Sequence, residues 1–168
     1  MNELIRIRSR QDGDFNFILN SWMKSYKKHS GVRPDVYFVE HHKLVHHILS
    51  RAETLVACSK DDPTQIYGYL VYEPDVFTII HFAFVKQTFR HLNVMRELLS
   101  KINLTDPVIV THDNRHDLKH IQKRLKIFNP YKAFGDLNEI KKTDFRPPGY
   151  IQSQGADLRG FHSSQSEY

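Results

Sequence analysis

The spacing of apolar residues predicts an N-terminal strand followed by two helices. Residues 3–8 alternate apolar and polar side chains, as a half-buried strand does. After the sequence QDGD, in which Asp12 or Asp14 can cap a helix, apolar residues recur with amphipathic helical spacing. They are Phe15, Ile18, Leu19, Trp22, Met23 and Tyr26. The segment KKHSGVRPD is typical of a loop, and residues 36–51 resume the helical period.

Three β-rich runs follow and predict an antiparallel meander. The first two runs, at residues 54–59 and 66–73, are separated by the turn-forming sequence KDDPTQ. The third run, at residues 76–85, follows after a short Pro-Asp connection. Such short connections join neighbouring antiparallel strands, so we expect the three runs to lie side by side in one sheet.

The second half of the chain predicts two further helices and a buried strand. Helical spacing returns at residues 90–102, a short apolar strand follows at 107–112, and residues 115–127 form another helical pattern. A residual strand is expected around the sequence IFNPY. From about residue 135 the chain is weakly patterned. We therefore expect a domain over residues 1–134 and a C-terminal extension over residues 135–168, loosely ordered or packed against the domain.

Composition limits the classes to which the protein can belong. With 168 residues and 40% hydrophobic residues, the chain is long enough for one core and too short for two ordinary domains. Its single cysteine, Cys58, lies in an apolar run, which predicts a buried, inert thiol. The N-terminus lacks a hydrophobic signal core and no window approaches the length of a membrane span, so we expect a soluble cytoplasmic protein.

The net charge of +5 favours an anionic partner such as nucleic acid, a membrane surface or a phosphorylated cofactor. The excess of basic residues can be placed in one part of the chain. Residues 86–126 contain nine basic side chains and four acidic ones. The segment 85–102, VKQTFRHLNVMRELLSKI, lies in this region and runs from a strand into a helix, where free N–H groups can hold an anion.

This junction resembles the signature of the GNAT superfamily of acetyl-CoA-dependent N-acetyltransferases. The family motif is roughly V-x-P-x-Y-R-G-x-G-I-G-x-x-L-L, and residues 85–99 match its aromatic, arginine, aliphatic and paired leucine positions but none of its glycines. The resemblance covers roughly residues 3–131 and implies an α/β fold. Its central sheet is mixed, mostly antiparallel and twisted, splayed between strands 4 and 5 and flanked by about four helices. The segment DFNFILNSWMKSY also resembles the first helix of GNAT-like proteins of tailed phages, which would place the protein in a host cytoplasm.

The resemblance implies that acetyl-CoA, or another acyl-CoA, binds at the junction and that an acetyl group is transferred to an amine of a small molecule or protein. The implied cofactor-binding residues are Phe84, Val85, Arg90, His91, Leu92, Asn93, Val94 and Met95. His91 and Asn93 replace motif glycines with residue types that tolerate positive φ. Met95 replaces a glycine or alanine and either obstructs the cofactor or joins the core.

Candidate catalytic residues are His81 and Tyr131. His81 lies on the implied fourth strand, where alternation places it on the face of Ile79, Ala83 and Val85, and it can act as a base or be a hydrogen-bonded core histidine. The leaving-group acid of the family is a tyrosine in the next helix, but its position here is Gln122. Tyr131, His120 or a water would then replace it.

Histidines recur at helical spacing in two places, EHHKLVHH and THDNRHDLKH. The resemblance places the first set beside the acceptor site, so His42 and His46 are candidate substrate-binding residues, as is His41. Pairs at this spacing can share a metal, but neither set supplies a third ligand at motif spacing, and we expect no metal.

Three functions remain open. The first is N-acyl transfer, and the second is a catalytically inactive GNAT fold that serves as a binding or inhibitory module. The third is binding or modification of nucleic acid, through the basic helix around Lys119 and the tyrosines that alternate at residues 67–72. We expect no membrane partner, and a homodimer is compatible with the sequence.

Overall fold

The computed structural model describes residues 4–112 and 125–135, all of which lie in one compact unit, Met1–Asp136. Its strands are β1 (Ile5–Ser9), β2 (Glu53–Ser59), β3 (Ile66–Glu73), β4 (Ile79–Val85), β5 (Val108–Val110) and β6 (Lys126–Phe128). Its helices are α1 (Phe15–Tyr26), α2 (residues 34–51) and α3 (Val94–Leu99). Within α2, residues Tyr37–His41 form a π-helical turn. None of the helices in the described residues is long and apolar enough to cross a membrane.

The strands form one mixed sheet in chain order, β1 to β6. Strands β1 to β4 are antiparallel, β5 is parallel to β4, and β6 is parallel to β5. This confirms the predicted meander and the predicted α/β class with a mostly antiparallel sheet.

The sheet separates two apolar clusters, one on each face. On one face, α3 packs its buried side of Val94, Met95, Leu98 and Leu99 against residues of β2, β3 and β4. On the other face, α1 and α2 pack Trp22, Tyr37 and Ile48 against Tyr69 and Phe82. Cys58 is fully buried in β2, as predicted.

The predicted cap of α1 was wrong in its mechanism. Neither Asp12 nor Asp14 caps the helix with its side chain. Instead the buried Asp14 carboxylate accepts hydrogen bonds from the Arg8 guanidinium, at 2.5 and 3.0 Å, and from the Gln11 N–H at 2.8 Å. This carboxylate therefore ties the start of α1 to β1, because the guanidinium that it binds belongs to that strand.

Two predicted helices differ from the structure. The helix expected at residues 90–102 is a 3₁₀ segment, Gln87–Leu92, followed by the short α3, because Asn93 adopts a left-handed conformation between them. The helix expected at 115–127 ends too late, since residues 126–128 form β6, which is the strand expected around IFNPY. Residues 113–124, which include His120 and Gln122, and the extension from residue 136 lie outside the described residues.

Candidate active site

The sheet opens between β4 and β5. These strands are paired only at Ile79 with Ile109 and at Ile80 with Val110, and the last ladder bond runs from the Thr111 N–H to the Ile80 carbonyl at 3.1 Å. Strand β4 continues to Val85. Within the described ranges no strand pairs with this side of β4 beyond Ile80, so its backbone groups border an opening.

A β-bulge at His81 lies at the start of this opening. Val71 is opposite Phe82 and Tyr72 is opposite Ile80, which leaves His81 as an extra residue in β4. The bulge changes the alternation of side chains. Ile80, rather than Ile79, therefore shares a cluster with Ala83 and Val85, and the prediction that His81 lies on one regular face with them was wrong.

The bulge also decides which backbone groups face the opening. The Lys86 N–H donates to the Tyr67 carbonyl at 2.8 Å, and alternation then directs the N–H and C=O groups of Phe84 toward β3. The same alternation directs the backbone groups of Ala83 and Val85 toward the opening. The Val85 carbonyl accepts a bond from Arg90 Nε at 3.4 Å.

A chain of hydrogen bonds runs across the sheet at the bulge. The Arg51 guanidinium donates to the Glu73 carboxylate, whose Oε1 is 3.0 Å from His81 Nε2. His81 Nδ1 is 3.1 Å from Thr111 Oγ1, which is in turn 2.9 Å from His112 Nδ1. The five side chains come from α2, β3, β4 and the end of β5, so the fold, and not local sequence, brings them together.

Burial controls the charges along this chain. Burial alone would raise the pKa of Glu73, but the bond with His81 and the charge of Arg51 lower it below its ordinary value. Burial lowers the pKa of His81, and the Glu73 carboxylate offsets only part of that effect. Burial lowers the pKa of His112 well below its ordinary value. Electrostatic repulsion from His41 and His81 adds to this, and a hydrogen bond with the His81 backbone offsets only part of it. At neutral pH an ionised Glu73 therefore faces a neutral His81, and His112 at the other end of the chain is also neutral.

An aromatic cluster surrounds the His112 ring at the end of β5. Its members within 6.5 Å, measured between ring centroids, are Trp22, Tyr26, His41 and Phe82. His41 lies between the rings of Tyr26 and Tyr37, at 5.2 and 4.7 Å. Burial lowers the pKa of His41 to about 4 and raises that of Tyr37. The cluster is therefore uncharged at neutral pH.

The predicted cofactor loop differs from the family's glycine loop. Residues Gln87–Leu92 form 3₁₀ turns, in which amides bond to carbonyls three residues earlier, as the Phe89 N–H does to Lys86. Fewer free amides remain for an anion than we expected. Asn93 adopts a positive φ of 57°, which confirms one of the two expected glycine substitutes. His91 does not have a positive φ.

Other predicted cofactor residues divide between core and surface. Val94 and Met95 are buried against the sheet, so Met95 takes the core position, and its side chain does not obstruct the outer face of α3. Leu92 and Phe84 are half-buried, whereas Arg90 and His91 are exposed. Lys86 Nζ lies 4.7 Å from the centre of the Phe17 ring, which in turn contacts the Phe84 ring. Burial lowers the pKa of Lys86.

The structure does not assemble the other predicted site residues around His81. Both ring nitrogens of His81 are engaged, and its side chain is fully buried. Tyr131 is 69% exposed on a 3₁₀ segment, Pro130–Phe134, that Arg51 binds through the carbonyls of Lys132 and Ala133. His42 and His46 are exposed on α2, and their ring centroids are 6.4 Å apart.

The residues that join His81 to its surroundings were not predicted from the sequence. His112 was noted only as part of a histidine repeat, and Glu73 and Thr111 were not singled out. Thr111 and His112 directly follow the apolar run of β5, which was a usable signal for them. Glu73 ends β3, which runs opposite to β4 and β5, so only the pairing of the strands brings it to His81. Among the described residues, no group of three His, Cys, Asp or Glu side chains could hold a metal.

Comparison with known proteins gives structural neighbours but no sequence family. No family model matches the chain, and no curated protein matches it. Similar solved structures include YjaB from Escherichia coli in its apo form, 22% identical over 58% of this chain and 63% of that one, with a TM-score of 0.45. A GNAT-family acetyltransferase from Staphylococcus aureus is 17% identical over 58% and 62%, with a TM-score of 0.42.

A third neighbour covers more of the chain. It is a candidate acetyl transferase from Pyrococcus furiosus, 16% identical over 88% of this chain and 99% of that one, with a TM-score of 0.47. The chain thus spans less than two thirds of YjaB and of the Staphylococcus protein.

Proposed function

We propose that this protein binds an acyl-CoA at the opening between β4 and β5 and transfers the acyl group to an amine. The observation that carries the proposal is the bulge at His81. Because of this bulge, the backbone N–H and C=O groups of Ala83 point toward the edge of β4 that β5 leaves unpaired within the described residues. A backbone N–H in such an edge can donate to an acyl carbonyl and to the negative charge that develops on it.

The residues around the opening fit an acyl-CoA in two respects. Strand β4 offers the edge for the acyl end, and the segment after it offers cations and the left-handed Asn93 for the diphosphate. Because the 3₁₀ turns use their own amides, the exposed Arg90 and His91 side chains would hold the diphosphate in place of a glycine loop. An acyl-CoA supplies an acyl group activated as a thioester.

The chain's own residues would orient the reactants and exclude water. The Ala83 N–H would position the acyl carbonyl, and the aromatic side chains of α1 and β4 would keep the acceptor in an environment that favours a neutral amine. The acceptor itself, a small molecule or a protein, is not specified by these contacts.

Titration calorimetry tests this proposal with two ligands. We expect acetyl-CoA to bind with micromolar affinity and S-acetylpantetheine, which lacks the diphosphate, to bind more weakly. Arg90→Gln should weaken acetyl-CoA binding about tenfold, the loss of roughly 1.4 kcal/mol, and leave S-acetylpantetheine unchanged. Arg33→Gln is the matched control, because Arg33 is an exposed arginine directly before the first residue of α2. No heat and no thermal shift at millimolar acetyl-CoA would exclude the acyltransferase.

A second candidate is an inactive version of this fold that binds a partner protein. The observations that favour it are the engagement of both His81 nitrogens and the bond from Arg90 to the Val85 carbonyl, which covers part of the opening. This alternative predicts that acetyl-CoA does not bind, so the calorimetric titration separates the two functions.

A further inference from the structure

We propose that His112 is the proton acceptor for the amine and that Thr111, His81 and Glu73 form a relay behind it. This inference rests on the proposed acyl transfer for its substrate, but the relay itself is a property of the free protein. His112 directly follows Thr111 at the open end of β5, and its ring faces the aromatic cluster. In this arrangement His112 is the catalytic residue, and the other three are positioning residues.

The hydrogen bonds assign a single tautomer to each ring. An ionised Glu73 accepts only, so His81 carries its proton on Nε2 and has a bare Nδ1. That bare Nδ1 accepts the one hydroxyl proton of Thr111. Thr111 Oγ1 can then only accept from His112, which must carry its proton on Nδ1. The lone pair of His112 is therefore on Nε2, the nitrogen outside the chain.

The relay gives the transferred proton a stable destination. When an amine N–H bond breaks and an N–H bond forms at His112 Nε2, the Nδ1 proton passes to Thr111 Oγ1. The Thr111 hydroxyl proton passes to His81 Nδ1. The positive charge then lies on His81, beside the Glu73 carboxylate and not within the uncharged cluster. Each step moves one proton, so charge and atoms balance.

Unsatisfied ring nitrogens are a second, independent sign that the cluster receives a ligand. Trp22 Nε1 and His41 Nε2 are buried and have no hydrogen-bond partner among the residues that the structure describes. Trp22 is fully buried and stacks on Phe82, and its ring lies 5.1 Å from that of His112. Buried polar atoms are rarely left unpaired, so a polar substrate group beside His112 would satisfy them.

Nuclear magnetic resonance of ¹⁵N-labelled histidine tests the relay in the free protein. At neutral pH we expect His81 as the Nε2–H tautomer and His112 as the Nδ1–H tautomer. On acidification, His81 should become doubly protonated while His112 changes to the Nε2–H tautomer, because protonated His81 would turn the Thr111 hydroxyl toward His112. The other groups that face these rings are Arg51, Glu73, Tyr26 and His41. A His112 that is Nε2–H at neutral pH would overturn the relay.

Variants of Thr111 supply the matched comparison. Thr111→Val removes the hydroxyl with little change of volume. In this variant we expect the protonation of His81 and the tautomer of His112 to change with pH independently of each other. Thr111→Ser retains the hydroxyl and should keep them coupled. Coupling that persists in Thr111→Val would also overturn the relay. If His81 and His112 are coupled but the protein does not bind acetyl-CoA, the relay is retained and the proposed acyl transfer is wrong. Failure of the relay and failure of the proposed function are therefore distinguishable.

Discussion

At the scale of single residues, neighbours across the sheet decide what each histidine can do. His81 was predicted from its position on a strand, but its two nitrogens bind Glu73 and Thr111. It therefore lacks a free lone pair for a substrate in the resting state. Residue type alone could not distinguish His81 from His112, because the distinction depends on contacts between different strands.

Asn93 provides a test at this scale. Its φ of 57° costs a non-glycine residue about 1 kcal/mol, less for asparagine than for most residues. Asn93→Gly should therefore be neutral or stabilising, and Asn93→Ala destabilising by about 1 kcal/mol, in urea unfolding. Asn20→Ala, at an exposed position of α1, is the control and should be neutral or stabilising. Equal effects at residues 93 and 20 would contradict a left-handed Asn93.

At the scale of elements, the sequence predicted where the strands lie but not how they are interrupted. The runs at 54–59 and 66–73 match β2 and β3 closely, because apolar β-branched and aromatic residues cluster there. The bulge at His81 and the left-handed Asn93 leave no periodic signal. As a result the strands were predictable from periodicity, whereas the opening beside β4 was expected only from the GNAT resemblance, as a splay between strands 4 and 5, and the short α3 was not predicted.

The close contact between β3 and β4 gives a prediction at this scale. A Cβ atom added at Gly68 would lie 2.5 Å from the Phe84 carbonyl oxygen, so the backbone of β4 would have to shift. We expect Gly68→Ala to lower the free energy of unfolding by about 1 to 3 kcal/mol. Gly13→Ala, where an added Cβ meets nothing within 4 Å, should change it little. Similar urea midpoints for the two variants would argue against the close approach.

At the scale of the whole molecule, buried neutral histidines link stability to pH. The pKa of His41 falls from 6.5 to about 4 on folding because the ring is buried. Between these values the unfolded chain binds more protons than the folded one, so the free energy of unfolding should fall as pH falls from 6.5 to 4. His81 and His112 act in the same direction, since burial lowers both pKa values.

Urea unfolding at several pH values measures this dependence. We expect His41→Gln to reduce the slope of the free energy of unfolding against pH between 6.5 and 4. The reduction should correspond to at most about one proton in the difference between the protons bound by the unfolded and folded chains. His47→Gln, at an exposed position of α2, is the control variant for this comparison. A His41→Gln variant with the slope of the wild type would show that this ring titrates normally in the folded protein.

The extra residue in β4 also has an evolutionary consequence. In a pleated strand, one inserted or deleted residue reverses which amides point to the left and which to the right for everything that follows. A bulge absorbs this effect: a homologue that lacked the residue between Ile80 and Phe82 would keep Phe82 opposite Val71 and would still present the backbone of Ala83 to the opening. An alignment that places its gap at His81 would therefore pair equivalent atoms along the remainder of the strand, whereas an ungapped alignment of such chains would offset them by one residue.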